Sequence, residues 1–157
     1  MAVMTGGRVR TAPGTAVLAA LILVLAFGNP AYVDWANRNA SPNSAWGFFL
    51  HTLAWPNWSF SSKESVQTLL ANDIKALLLI ILTGVFVAMM AGSRGNASQF
   101  LAGWGGYIFA AAVAGFLAAF IQVNASVLGA FTWAAGGAVY GLFVGWIVGL
   151  ASAVGRP

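Results

Sequence analysis

The chain has 157 residues, of which 60% are hydrophobic and 6% are charged, and its formal net charge is +4. Soluble domains carry roughly 25% charged residues, and a chain of this length cannot hide so much apolar surface in one core. The composition therefore excludes an ordinary soluble domain. It favours a single all-α membrane domain, residues 1–157, with room for about four transmembrane helices of ~20 residues.

Charge and cysteine content exclude several classes of function. The seven Lys and Arg residues are scattered along the chain, whereas a nucleic-acid-binding protein collects its cations on one face. The sequence has no Cys, one His and three acidic residues, so it has no disulfide framework and no thiolate nucleophile. We expect no catalytic residue, no cofactor, no metal and no nucleic-acid partner. The abundance of Ala, Gly, Val and Trp is typical of GC-rich bacteria such as actinobacteria.

The first apolar segment follows Arg8 and Arg10 and predicts a transmembrane helix at about residues 15–33. Pro30 should end its helical hydrogen bonding, because proline lacks the N–H group. Two arginines before a short apolar stretch are also typical of a cleaved signal peptide. Since no small-x-small cleavage motif follows at the expected distance, we favour an uncleaved first helix. Removal of this segment would leave a chain of three spans.

Residues 34–72 form the longest polar interval and are predicted as a loop on the outer side of the membrane. Tryptophan prefers the headgroup level, where its apolar ring and its N–H are both accommodated. Within the loop, residues 45–53 predict a short interfacial helix that ends before Pro56. Ser61 and Glu64 have the spacing of a capping box, which predicts a helix from about residue 62. The expected membrane-interface anchors are Trp35, Trp46, Trp55 and Trp58.

Three more spans are predicted, at about 73–91, 100–123 and 127–153. Lys75 would lie just inside the outer end of the second span, where its methylenes can follow the helix while the ammonium reaches the interface. We expect Asp73 to pair with this lysine.

Lys63 and Arg38 are alternative partners for Asp73. Thr83, Thr132 and Tyr140 are the polar side chains inside the spans. We expect each of them to bond to a carbonyl of its own helix.

The charge distribution predicts the orientation. Four spans place four arginines and no acid on one side, and cations of short loops stay in the cytoplasm. Both termini are therefore predicted to be cytoplasmic in a multi-pass protein of the bacterial inner (plasma) membrane. A three-span chain would keep the loop between residues 92 and 99 on the same side and is not excluded by charge. The four residues are Arg8, Arg10, Arg94 and Arg156.

The last predicted span carries a glycine zipper, four glycines at a strict spacing of four: Gly137, Gly141, Gly145 and Gly149. Residues four apart share one helix face, so these glycines form a groove into which another helix backbone fits. The third span offers two matching rows of small residues: Ala111, Gly115 and Ala119, or Ala110, Ala114 and Ala118. Packing within this hairpin, with a second copy or with a different protein all remain open from the sequence.

Few chemical groups and much packing surface predict a non-catalytic accessory or structural subunit of a larger inner-membrane complex, of the envelope lipid transport or respiratory type. Besides the lipid bilayer, its partners would be that complex. The alternative is a self-assembling small channel or transporter, a homo-oligomer joined by the zipper, although few polar residues are available to line a pore. A membrane enzyme that uses His51 or Asp73 is a third alternative.

Overall fold

A computed structural model of the chain describes residues 11–59, 65–90, 95–121 and 125–155. Within these ranges the protein is all-helical, with six helices and no β-strand. The helices are α1 Ala12–Phe27, α2 Pro30–Asn39, α3 Ala45–Leu53, α4 Val66–Met90, α5 Gly95–Ala119 and α6 Val127–Val154. Several residues used in the sequence predictions lie outside the described ranges: Arg8, Arg10, Ser61, Lys63, Glu64, Arg94 and Arg156.

Polar caps decide where the helices begin. Four helices begin after an N-cap residue whose side-chain oxygen accepts a hydrogen bond from the backbone N–H three residues later. This bond satisfies one of the free N–H donors of the first turn. The start of α4 is similar: Ser65 Oγ accepts from the backbone N–H of Thr68 at 3.2 Å. The four N-cap residues are Thr11, Asn29, Ser44 and Ser126.

In the described part of the chain, three helices are long and apolar enough to cross a membrane: α4 and α5 with 25 residues each and α6 with 28. They indicate a multi-pass membrane protein. The first predicted span differs from its prediction, because α1 ends at Phe27 and the chain bends by 61° into α2. Asn29 caps the new helix and Pro30 occupies its first position, where the missing N–H costs nothing. A helix of 16 residues is about 24 Å long, shorter than the ~30 Å hydrocarbon core.

The fifth helix begins earlier than the span predicted at residues 100–123. Its first turns are polar but helical, and Gln99 is only 2% exposed. The side-chain amide of Gln99 is oriented so that its oxygen and its nitrogen both face suitable partners. In this orientation Nε2 donates to the carbonyls of Ser152 and Gly155 at 2.8 Å each. This side chain thereby caps the end of α6. Hydropathy marks where apolar residues begin and does not mark where a helix begins.

Four helices form a ring in which α1 contacts α4, α4 contacts α5, α5 contacts α6, and α6 contacts α1. The contact of α5 with α6 is the most extensive. Close approach of α4 and α5 depends on Gly106, where an added Cβ would lie 2.9 Å from Val87 Cγ2. The large side chains at the centre of the ring are fully buried: Leu79, Val87, Tyr107, Tyr140, Val144 and Val148.

Two helices occupy much of the interval predicted as a loop at residues 34–72. A helix with the predicted bounds Ala45–Leu53 is present as α3, whereas α2 was missed because its cap and proline resemble a simple helix stop. Tyr32 Oη in α2 donates to the carbonyl of Leu50 in α3 at 2.8 Å, and α3 packs on α6. These two helices therefore cover one end of the ring, called here the capped end.

Candidate functional site

A buried lysine is the chemically most distinctive feature of the capped end. Lys75 in α4 is 5% exposed, and its Nζ donates to the carbonyl of Trp55 at 2.9 Å and to Asn72 Oδ1 at 3.3 Å. The ammonium also lies 4.4 Å from the ring centroid of Trp55 and 5.2 Å from that of Trp133, and indole faces attract cations. The ammonium is therefore enclosed by groups of the chain itself, and its position at the level of the membrane interface stays a prediction.

The carboxylate closest to this lysine in sequence has a different partner. Asp73 Oδ1 accepts from the backbone N–H of Ser59 at 2.9 Å. Residues two apart on a helix do not share a face, which explains why the predicted pair with Lys75 does not form. The alternative partner Arg38 donates through Nε to the carbonyl of Asp34 at 3.2 Å.

An aromatic stack leads from the lysine to the centre of the bundle. The ring of Trp55 stacks on that of Tyr140, with centroids 5.0 Å apart and an interplanar angle of 20°. Tyr140 Oη lies 2.6 Å from Tyr107 Oη. Its partner is therefore in α5, and the prediction that Tyr140 bonds to a carbonyl of its own helix is wrong. Thr83 and Thr132 do bond to carbonyls four residues earlier, which confirms the prediction for both threonines.

The tyrosine pair yields a quantitative prediction. Tyr140→Phe should destabilise the protein by about 1–3 kcal/mol, because it leaves the hydroxyl of Tyr107 buried without a partner. The double variant Tyr107→Phe/Tyr140→Phe should be closer to the wild type than either single variant, since it removes both hydroxyls together. Unfolding in detergent, followed for all four proteins, measures this coupling. Additive losses would contradict it.

Residues 54–59, called here the connecting segment, follow α3 and are fastened to two helices of the bundle. The backbone of Asn57 has a positive φ of 41°, a conformation that Asn tolerates better than most residues. The segment lies over the ends of α1 and α4. Among the described residues, its hydrogen bonds to α1 and α4 are those of Lys75 Nζ to the Trp55 carbonyl, of Trp58 Nε1 to the Val24 carbonyl at 2.7 Å, and of the Ser59 N–H to Asp73 Oδ1.

An open cleft of about 450 Å³ lies between α3, the connecting segment and α6. His51 Nε2 lies 2.8 Å from the carbonyl oxygen of Ala40, and the hydroxyl of Thr52 donates to a carbonyl of its own helix. These polar groups are therefore already paired within the chain. The residues around the cleft include Phe48, His51, Thr52, Asn57, Val139 and Tyr140.

No protein-family model matches this chain, and no curated protein or solved structure is significantly similar to it. What the site can do must follow from its own residues. Metal and acid–base chemistry need several converging groups. In the described ranges no three His, Cys, Asp or Glu residues converge on a metal site. The groups that do converge are one ammonium and two indole rings, and the cation they hold is the chain's own lysine.

The glycine zipper lies against α5 of the same chain. An added Cβ would overlap the carbonyl of Ala111 at Gly137 and would lie 2.5 Å from Ile108 Cα at Gly141. Gly149 is equally close to α5, with an added Cβ 2.8 Å from the carbonyl oxygen of Phe100. Both predicted rows of small residues on α5 are buried, and of their members Ala111 and Gly115 meet α6, at Gly137 and Trp133. The four zipper glycines are buried as well: Gly137, Gly141, Gly145 and Gly149.

The four tryptophans predicted as anchors have two kinds of surroundings. Trp35 and Trp46 are 47% and 69% exposed; for all four tryptophans an interfacial position stays a prediction. Trp55 and Trp58 point inward instead: one stacks on Tyr140 and the other donates to a backbone carbonyl of α1. These two side chains fasten the connecting segment to the bundle.

Sequence reasoning missed the lysine site, although one signal was available. An ionisable residue inside a transmembrane helix marks a candidate site by default, because burial of a charge in the membrane is costly. Lys75 has this position, but no pattern in the sequence indicates that Trp55 and Trp133 meet it. They lie 20 residues before and 58 residues after it in the chain.

Proposed function

We propose that this chain is a four-span protein of the bacterial inner membrane and acts as a non-catalytic accessory or structural subunit of a larger complex, of the envelope lipid transport or respiratory type. The bent pair of α1 and α2 would supply the first span. Both termini would be cytoplasmic, which is supported by the four arginines on that side and the absence of acids there in the sequence.

The observation that carries this proposal is that the polar groups inside the spans are used within the chain. Lys75 bonds to Trp55 and Asn72, Tyr107 bonds to Tyr140, and Gln99 caps α6. In the described ranges, Ser152 Oγ is the one buried side-chain polar atom without a hydrogen-bond partner. An interior whose polar groups are mostly paired within the chain is suited to a structural role.

We prefer the accessory role to the channel or transporter alternative. That alternative required the zipper to join identical copies, but the zipper glycines already accommodate the backbone of α5. A second helix cannot enter a groove that is filled. We therefore place the docking surface elsewhere, at the cleft of the capped end.

The cleft is suited to docking because it combines volume with exposed apolar side chains. It measures about 450 Å³, and Phe48 and Val139 on its sides are 42% and 43% exposed. A protruding aromatic or aliphatic side chain of the partner would fill it, as anchor residues fill pockets in other interfaces.

Purification from native membranes in a mild detergent, with mass spectrometry of what co-purifies, tests the proposal. We expect a larger protein to be recovered in a fixed ratio with this chain. Val139→Trp should fill the cleft and reduce recovery of the partner at least about tenfold, which is the loss of one good anchor contact.

The matched control is Leu142→Trp. Leu142 lies on the same helix, is 47% exposed and does not line the cleft, so the partner should be retained. Recovery of this protein alone, as a monodisperse oligomer, would contradict the accessory role. Loss of the partner in both variants would show that the cleft is not the docking surface.

A further inference from the structure

A second cavity lies on the outer surface of the bundle, between α1 and α4. It measures about 340 Å³, and its walls are almost entirely aliphatic. Its lining on α4 extends from Asp73 to Ile80, about 10 Å along the helix axis. Two of its side chains, Leu25 and Leu77, are 54% and 59% exposed. In a membrane, such a groove is open to the hydrocarbon of the bilayer.

The groove has a polar end and an apolar end. Asp73 and Trp58 line it beside the connecting segment, whereas Leu21 and Ile80 lie farther from that segment. The indole of Trp58 is held in place by its hydrogen bond to the Val24 carbonyl, at 2.7 Å. This polarity is that of a lipid, with a headgroup at the capped end and a chain directed towards the middle of the membrane.

Asp73 gives the polar end a negative charge. Its Oδ1 accepts from the Ser59 N–H at 2.9 Å, and the carboxylate lines the groove. The cation nearest in sequence, Lys75, is bound inside the bundle by Trp55 and Asn72. No Lys or Arg of the described residues lines the groove. A carboxylate in this setting attracts a cationic headgroup and repels an anionic one.

We propose that the groove between α1 and α4 binds one phospholipid with a primary amine headgroup, of the phosphatidylethanolamine type. One acyl chain lies along the aliphatic wall, and the ammonium donates to Asp73. A primary ammonium carries three donors, so this headgroup is preferred over the choline headgroup, which has none. The site depends on the membrane location of α1 and α4 and is independent of the accessory role.

Native mass spectrometry of the purified full-length protein tests this site. Lipids with identical acyl chains and ethanolamine, choline or glycerol headgroups are added at equal concentrations. We expect the ethanolamine lipid to bind most strongly and the anionic glycerol lipid least. Asp73→Asn should weaken binding of the ethanolamine lipid about tenfold, as expected for the loss of one charge-assisted hydrogen bond. Asparagine keeps an acceptor for the Ser59 N–H, so the connecting segment should stay in place.

Asp34→Asn is the control for charge, since Asp34 is an exposed acid outside the groove. Leu77→Trp should block the groove and abolish binding of all three lipids. Ile81→Trp is its matched control, because Ile81 is also 59% exposed on α4 but does not line the groove. Equal binding of the three lipids, or unchanged binding by Asp73→Asn, would overturn the proposal. The proposal would also be overturned if Leu77→Trp displaced a co-purifying protein and left lipid binding unchanged, because the occupant of the groove would then be that protein.

Discussion

Gly137→Ala is expected to destabilise the protein by roughly 2–3 kcal/mol, although alanine is the better helix former by about 1 kcal/mol. The new Cβ would overlap the carbonyl of Ala111 and lie 2.6 Å from its carbonyl carbon. These are backbone atoms of α5, so relief requires the two helices to separate. Separation would also loosen the contacts of Gly141 with Ile108, because both glycines lie on one helix face. Denaturant unfolding in detergent micelles measures the loss.

Gly105→Ala is the control for this experiment. It places the same substitution on α5, but the new Cβ would meet the terminal methyl of Met90 at 3.1 Å, and a flexible side chain can move aside. We expect this variant to be as stable as the wild type or slightly more stable. If Gly137→Ala were equally well tolerated, the zipper would not hold α5 and α6 together. A loss that depends on protein concentration would instead indicate contact between copies.

Lys75→Glu is expected to destabilise the protein by at least about 3 kcal/mol, the scale of a buried charge that has lost its partners. The carboxylate would face the carbonyl of Trp55 and Asn72 Oδ1, which are both acceptors. It would also lie near the faces of Trp55 and Trp133, which repel an anion. The connecting segment should detach first, because this ammonium holds the segment at the carbonyl of Trp55. Protease sensitivity of residues 54–59 and unfolding in detergent measure the two effects.

Arg38→Glu makes the same change of charge on the surface. Arg38 is exposed at the end of α2, so its replacement should cost no more than about 1 kcal/mol. Comparable losses in the two variants would show that net charge decides the effect and that the buried contacts of Lys75 do not. Retention of the connecting segment in Lys75→Glu would contradict the role given to this lysine.

Much of the helical content was predictable from the sequence because it depends on local chemistry. Long apolar stretches predicted the segments that became α4, α5 and α6, since the bilayer requires each span to satisfy its own backbone. The short helix Ala45–Leu53 was also predictable, because Ser44 caps it and its apolar residues are continuous. The spacing of the glycines predicted a groove. These features can be read from neighbours within one or two helical turns.

Contacts between distant residues could not be predicted in this way. The sequence left open whether the zipper accepts another chain, and the close fit of Gly137 on Ala111 places α5 there. The burial of Lys75 was not predicted, because hydropathy describes one residue at a time, whereas this burial depends on Trp55 and Trp133, which come from distant parts of the chain. Local patterns therefore indicated most of the helical segments, with α2 as the exception. Only the tertiary structure decided which polar groups meet, because a buried charge is stable only where several separate elements supply its partners together.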